Sequence, residues 1–201
     1  GNYGGFIVSY NGCQIINAQN GEILFERRIN PEMLPYLEKK AHKNGFAIFT
    51  YHDDTLLTDS PNNEHIRTEA KLNNLKIIKE EDFSIAIDFA PCKCMLVSDD
   101  EEALTGLEEH WKRRLNGTLD VFRSEPYFLE VVPCGIDKAN TLGALLSHLN
   151  ITREEVIAIG DGVCDVNMLQ IAGLGIAMGH SQDSVKVCAD YVCLLYTSDA
   201  A

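Results

Sequence analysis

The stretch Ile157-Ala158-Ile159-Gly160-Asp161-Gly162-Val163-Cys164-Asp165-Val166-Asn167-Met168-Leu169 decides the fold. Its opening, Val156–Ile159, is a continuous apolar run of the kind found in buried parallel strands. A helix over 163–172, a strand over 174–178, a helix over 181–189 and a strand over 191–192 are expected to follow. This β-α-β-α-β alternation predicts a parallel sheet covered by helices. The first strand delivers Asp161 to its carboxyl end, where open α/β sheets place their sites. Gly160 and Gly162 let the backbone turn tightly there. Asp165 follows four residues later. Two carboxylates held near one point are unfavourable unless a cation neutralises them. Mg²⁺ suits the pair, because it takes hard oxygen ligands, usually one or two carboxylates with water and phosphate oxygens. The same residues also suit an ordinary loop, with Asp161 as a helix cap and Asp165 solvated.

Working outward, Asp137–Leu149 reads as a helix with Leu142, Leu145, Leu146 and Leu149 turned inward. Lys138 stands at its start, 23 residues before Asp161. A cation is disfavoured at a helix N-terminus. An anionic partner, either a carboxylate or a phosphate held jointly with backbone N–H groups, would offset that. A solvated surface lysine is the alternative. Thr152-Arg153-Glu154-Glu155 is a capping-box pattern.

Residues 28–133 have a different texture, α+β with antiparallel hairpins. Asn30 caps a helix opened by Pro31, with Met33, Leu34, Leu37 and Ala41 on its apolar face and Gly45 as its stop. Strands over 46–51 and 55–58 flank a turn at His52-Asp53-Asp54. Residues 61–75 are polar and helical in pattern, and 93–97 reads as a strand. Leu104, Leu107, Trp111 and Leu115 mark a clear helix. Strands over 119–122 and 127–132 close the region. Near the start, Phe6–Tyr10 reads as a strand ending at the Asn11-Gly12 turn, with a hairpin around Asn20-Gly21 after it. This strand is expected to belong with the parallel sheet, the 28–133 region being inserted between.

The 201 residues carry 17 Lys+Arg against 30 Asp+Glu, a net charge of −13. The excess is spread along the chain. It argues against sequence-independent nucleic-acid binding and against a polybasic membrane patch. No apolar run approaches the roughly 18–20 residues that span a bilayer. The seven cysteines are scattered without a C-x-x-C pair. That usage suits free thiols in a reducing cytoplasm. The oligomeric state is left open by composition.

Four segments, taken in order, resemble a known family. They are Pro126-Tyr-Phe-Leu-Glu-Val131, Lys138-Ala-Asn-Thr-Leu142, Ala158-Ile-Gly-Asp161-Gly-Val-Cys-Asp165-Val-Asn-Met-Leu169 and Ala172-Gly-Leu-Gly-Ile-Ala-Met-Gly179. Together they are similar to the haloacid-dehalogenase (HAD) superfamily and, within it, the Cof-type (subclass IIB) phosphatases. Val8-Ser-Tyr-Asn11-Gly12 also looks like that family's third core strand and its turn.

The resemblance implies an α/β fold, a HAD-like Rossmannoid parallel sheet with an inserted α+β C2-type cap. It implies core segments at 1–27 and 134–192, a cap at 28–133, and a tail at 193–201 that does not fit the family. It further implies a Mg²⁺-dependent phosphatase acting on a small phosphorylated metabolite through an aspartyl-phosphate. By the same resemblance Lys138 neutralises the nucleophile and phosphate, and Asp161 and Asp165 hold the metal, the latter through water or as a supporting carboxylate. Cys164 stands at a phosphate-binding position where the family usually has Asn. His52 and Asp53, in the cap, would contact substrate. The family's D-x-D nucleophile and acid/base pair has no counterpart among these residues. The resemblance therefore implies an N-terminally truncated and inactive chain. A catalytically inactive phosphate-binding protein and a sugar phosphomutase are the competing readings.

Overall fold

The computed structural model describes residues 4–194. They divide into two compact units, Phe25–Gly135 and, around it in sequence, the chain up to Leu24 with the chain from Ile136 onward.

The chain opens with β1 (Phe6–Ser9), β2 (Gln14–Asn17) and β3 (Ile23–Glu26), a three-stranded sheet in that order. The β1 and β2 strands are antiparallel, with Phe6 opposite Asn17 and Ser9 opposite Gln14. The tight turn Tyr10–Gly12 joins them, closed by the Cys13 N–H donating to the Tyr10 carbonyl at 3.1 Å. This corrects the expectation that the first strand lies in the parallel sheet. The turn returns the chain directly alongside β1, and among the described residues β2 is the strand it pairs with, in a sheet separate from β10, β11 and β12.

The unit Phe25–Gly135 contains α1 (Leu34–Lys43), β4 (Ala47–His52), β5 (Thr55–Thr58), α2 (Glu64–Leu72), β6 (Lys76–Lys79), α3 (Phe83–Ala86), β7 (Cys94–Val97), α4 (Glu101–Arg114), β8 (Leu119–Glu125) and β9 (Phe128–Pro133). Its six strands run β6-β5-β4-β7-β9-β8. All pairs are antiparallel except β5 with β6, where Thr55 lies beside Lys76. Alternation along the central strands buries both faces. Ile48, Leu96 and Leu129 face Leu34, Leu37, Phe83, Leu104 and Trp111. Phe49, Met95 and Phe128 face Ile66 and Ala70 of α2. Side chains buried this fully each contribute about 1.5–3 kcal/mol. As the spacing indicates, Asn30 caps the turn opened by Pro31, and Gly45 ends α1 at φ 72°.

The other unit continues with α5 (Lys138–Leu149), β10 (Ile157–Gly160), α6 (Val166–Ile171), β11 (Leu174–Met178), α7 (Asp183–Lys186) and β12 (Tyr191–Cys193). The strands form a parallel sheet in the order β10-β11-β12. Ala158, Leu169, Ala177 and Val185 are buried together against this sheet, with Val166, Met168, Ala172 and Ala189 partly buried beside them. Two expectations change here. The apolar run at β10 is not buried on both faces, since Ala158 is buried while Ile157 and Ile159 are 64% and 59% exposed. Ile157 and Ile159 share the face opposite Ala158, and among the described residues α6 and α7 cover only the Ala158 side. On α5, Thr141 and Leu146 are the buried positions, and Leu142, Leu145 and Leu149 are only partly covered. Of the tail expected at 193–201, Cys193 pairs with Met178 as the last residue of β12, and 195–201 lie outside the described residues. No helix among the described residues is long and apolar enough to cross a membrane.

Candidate active site

The carboxyl ends of β10 and β11 and the first turn of α5 bring the candidate residues together. Asp137 caps α5 by accepting the Asn140 N–H at 2.8 Å. That fixes Lys138 as the first residue of the helix. Its Nζ donates to Asp165 Oδ1 at 2.5 Å. Asp165 ends the short turn Val163–Asp165 and is 5% exposed. Its second oxygen, Oδ2, accepts the backbone N–H groups of Asp161 and Gly162, both at 3.0 Å. Asp165 thus holds both the lysine and the loop. The close fit explains Gly160: a Cβ there would lie 2.5 Å from the Asp165 Cβ and 2.9 Å from its Cγ.

The electrostatics follow from these contacts. Burial alone would raise the Asp165 carboxyl, but the Lys138 ammonium and the two backbone N–H groups outweigh it and hold it below the usual carboxylate range. Burial would lower the Lys138 ammonium. The hydrogen bond to Asp165, with added help from the Cys164 sulfur, raises it instead. Lys138 is therefore a cation whose side chain remains 34% exposed, able to meet a second anion.

Asp161 behaves differently from Asp165. Its side chain is 62% exposed, and its Oδ2 lies 3.2 Å from His180 Nε2. No motif or spacing in the sequence marks His180. It follows β11 directly, and the rule that sites gather at the carboxyl ends of parallel strands is the signal that finds it. Cys164 is exposed, within electrostatic reach of Lys138.

His52 and Asp53 belong to the other unit. There His52 stacks on Phe89, with ring centroids 4.2 Å apart. Asp53 takes a left-handed conformation, φ 50°, in the turn between β4 and β5.

Among the described residues, no group of three or more His, Cys, Asp or Glu side chains is arranged to hold a metal ion. The donor set offers one largely exposed carboxylate, Asp161, with one oxygen near His180, beside the buried and fully engaged Asp165. That fits a hard cation such as Mg²⁺, which keeps several waters and shares phosphate oxygens. It does not fit zinc, which needs three or four protein ligands.

A family model described as haloacid dehalogenase-like hydrolase matches residues 2–201. The chain is 42% identical over 96 residues to a 5-amino-6-(5-phospho-D-ribitylamino)uracil phosphatase of Bacillus subtilis, covering 48% of this chain and 37% of that protein. It is 28% identical to an HMP-PP phosphatase of Cronobacter sakazakii, covering 88% of this chain and 63% of that one. The chain thus spans less than two thirds of the length of these curated relatives. A crystal structure of a haloacid dehalogenase-like hydrolase from Bacteroides thetaiotaomicron superimposes with a TM-score of 0.89 at 44% identity, covering 94% of this chain and 71% of that one. With the family's sheet, its ordered motifs and these matches in agreement, the chain belongs to the haloacid dehalogenase-like hydrolase family.

Proposed function

We infer that this chain carries the phosphate-holding part of a Mg²⁺-dependent phosphatase for small phosphomonoesters, such as sugar phosphates. The observation that supports this most is the convergence of Lys138, Asp165 and Asp161 at the end of β10. Lys138 is read as the cation that pairs with phosphoryl oxygens. Asp165 is read as a positioning residue that orients Lys138 and the loop. Asp161, with its largely exposed carboxylate, is read as the metal ligand, and Cys164, within electrostatic reach of Lys138, as a residue on the phosphate side. Bound Mg²⁺ would supply the positive charge that draws in and polarises the phosphoryl group. A local cation and a metal let a protein of net charge −13 receive an anion.

The unit Phe25–Gly135 is read as the family's C2-type cap. The aspartyl nucleophile and its acid/base partner are read as lying outside these 201 residues, since no Asp-x-Asp pair occurs in them. The two curated relatives, both named as phosphatases, support the reaction class.

A chimera tests the reading. The portion of the Bacteroides protein that this chain does not match is joined to it, and phosphate release from a phosphomonoester panel is measured with and without Mg²⁺. The expected result is Mg²⁺-dependent release that Lys138→Met and Asp161→Asn abolish. A folded chimera that releases phosphate equally well with Lys138→Met would overturn the assignment.

A further inference from the structure

Three successive residues in the turn after β1 hold left-handed backbone: Tyr10 at φ 52°, Asn11 at 57° and Gly12 at 110°. For a side chain as large as tyrosine this conformation is unfavourable, and it persists where the surroundings over-determine it. Those surroundings are the first turn of α5. Thr141 is 2% exposed, and its Oγ1 donates to the Gly12 carbonyl at 2.9 Å, joining positions 129 residues apart. A Cβ on Gly12 would lie 2.3 Å from Thr141 Oγ1 and 3.1 Å from the Asp137 carbonyl oxygen. Only glycine lets the turn press this closely against the helix.

The contact falls on the part of α5 that carries Lys138. Asp137 is the cap, Lys138 the first residue, and Thr141 comes one turn later with its own N–H bonded to the Asp137 carbonyl at 3.1 Å. Two anchors therefore bear on this turn of helix. One is the Lys138–Asp165 hydrogen bond to the loop after β10, and the other is the Thr141–Gly12 bond to the turn after β1.

We propose that Thr141 is a positioning residue, clamping the strained Tyr10–Gly12 turn to the start of α5 and so fixing where Lys138 presents its ammonium. Its hydroxyl acts through Lys138 and touches no substrate. The functional consequence rests on the reading of Lys138 as a phosphate-holding group. The structural consequence does not.

The test uses the full chain with ¹⁵N-labelled lysine, the Lys138 Nζ signal being assigned by its loss in Lys138→Arg. In the wild type this signal should be protected from exchange by Asp165. Thr141→Val removes the hydroxyl at similar volume and should move the signal toward those of exposed lysines. Gly12→Ala pushes on the clamp from the other side and should do the same. Thr141→Ser keeps the hydroxyl and should resemble the wild type. Binding of inorganic phosphate in the presence of Mg²⁺ should weaken about tenfold in Thr141→Val, the order expected for one lost buried hydrogen bond, and stay near wild type in Thr141→Ser.

An unchanged Lys138 signal in folded Thr141→Val overturns the proposal, as does a Thr141→Ser variant that behaves like Thr141→Val. If Thr141→Val does not fold, Gly12→Ala against Thr141→Ser decides by the same criterion. If the wild type fails to bind phosphate, the phosphate reading of the site falls, while the Lys138 signal still decides the role of Thr141.

Discussion

Asp165 and Lys138, 27 residues apart in sequence, meet at 2.5 Å, and the carboxylate oxygen that does not face the lysine accepts two backbone N–H groups of its own loop. The pair links α5 to the end of β10. Replacing Asp165 by Asn keeps the shape but removes the charge that balances Lys138. Breaking a fully buried pair costs several kcal/mol. With Lys138 one-third exposed, solvent screening brings the expected loss to about 2 kcal/mol. Urea denaturation should show a lower midpoint with an unchanged slope. The Asp165 carboxyl lies below its ordinary value of 3.8, so its contribution is complete above that range and is lost as pH falls through it. Asp165→Asn should therefore flatten the acid limb of the stability profile.

Gly160→Ala should be costly although the change is one methyl group. Its Cβ would collide with the Asp165 Cβ and Cγ at 2.5 and 2.9 Å. Overpacking of this kind costs about 1–3 kcal/mol. Denaturation midpoints check the stability. The Lys138 Nζ signal checks whether the carboxylate has been pushed away from the lysine.

The cysteines should separate by burial. None of the seven cysteines forms a disulfide among the described residues. Cys164 is exposed and should react with an aromatic disulfide reagent in the native protein, while Cys13 and Cys94 should react only after unfolding. Burial pushes the Cys94 thiol up from 9.0 to about 12, with a hydrogen bond involving Thr50 opposing it slightly. The folded state keeps this thiol neutral where the unfolded chain ionises it. Its contribution is therefore fully present below about pH 9 and is lost as pH rises toward 12. Cys94→Val should show a shallower fall in urea midpoint above pH 9.

Hydrogen exchange should rank the two sheets. Every residue of β7 is buried, whereas β10 alternates exposed and buried and packs on a core of mostly small side chains. Amides of β10 should exchange faster than those of β7 under native conditions, because local opening follows local burial. Equal protection would show that the two units open together.

Much of the fold is legible in the sequence because its signals are local. Leu104, Leu107 and Trp111 repeat at helical spacing and are buried as that spacing requires. The β6 strand was not legible, since Lys76-Ile77-Ile78-Lys79 is four residues long and follows directly on a polar helix. What identifies it is pairing with β5, which is a long-range property. The exposure of Ile157 and Ile159 was hidden for a similar reason. An apolar run shows that a strand exists without showing which of its faces is covered. In the site, the order of Lys138, Asp161 and Asp165 was readable. The engagement of Asp165 by two N–H groups, the approach of His180 to Asp161 and the Thr141–Gly12 clamp were not, because each depends on three-dimensional geometry between residues of no special spacing.

Lys138 and Asp161, organised by Asp165, are proposed to hold a phosphate together with Mg²⁺. The most direct measurement is a calorimetric titration of inorganic phosphate into the chain at fixed Mg²⁺, run on the wild type and on Lys138→Met. A saturable isotherm that requires Mg²⁺ and disappears in the variant is expected. Identical isotherms for the two proteins, or a wild type that takes up no phosphate, would contradict that proposal.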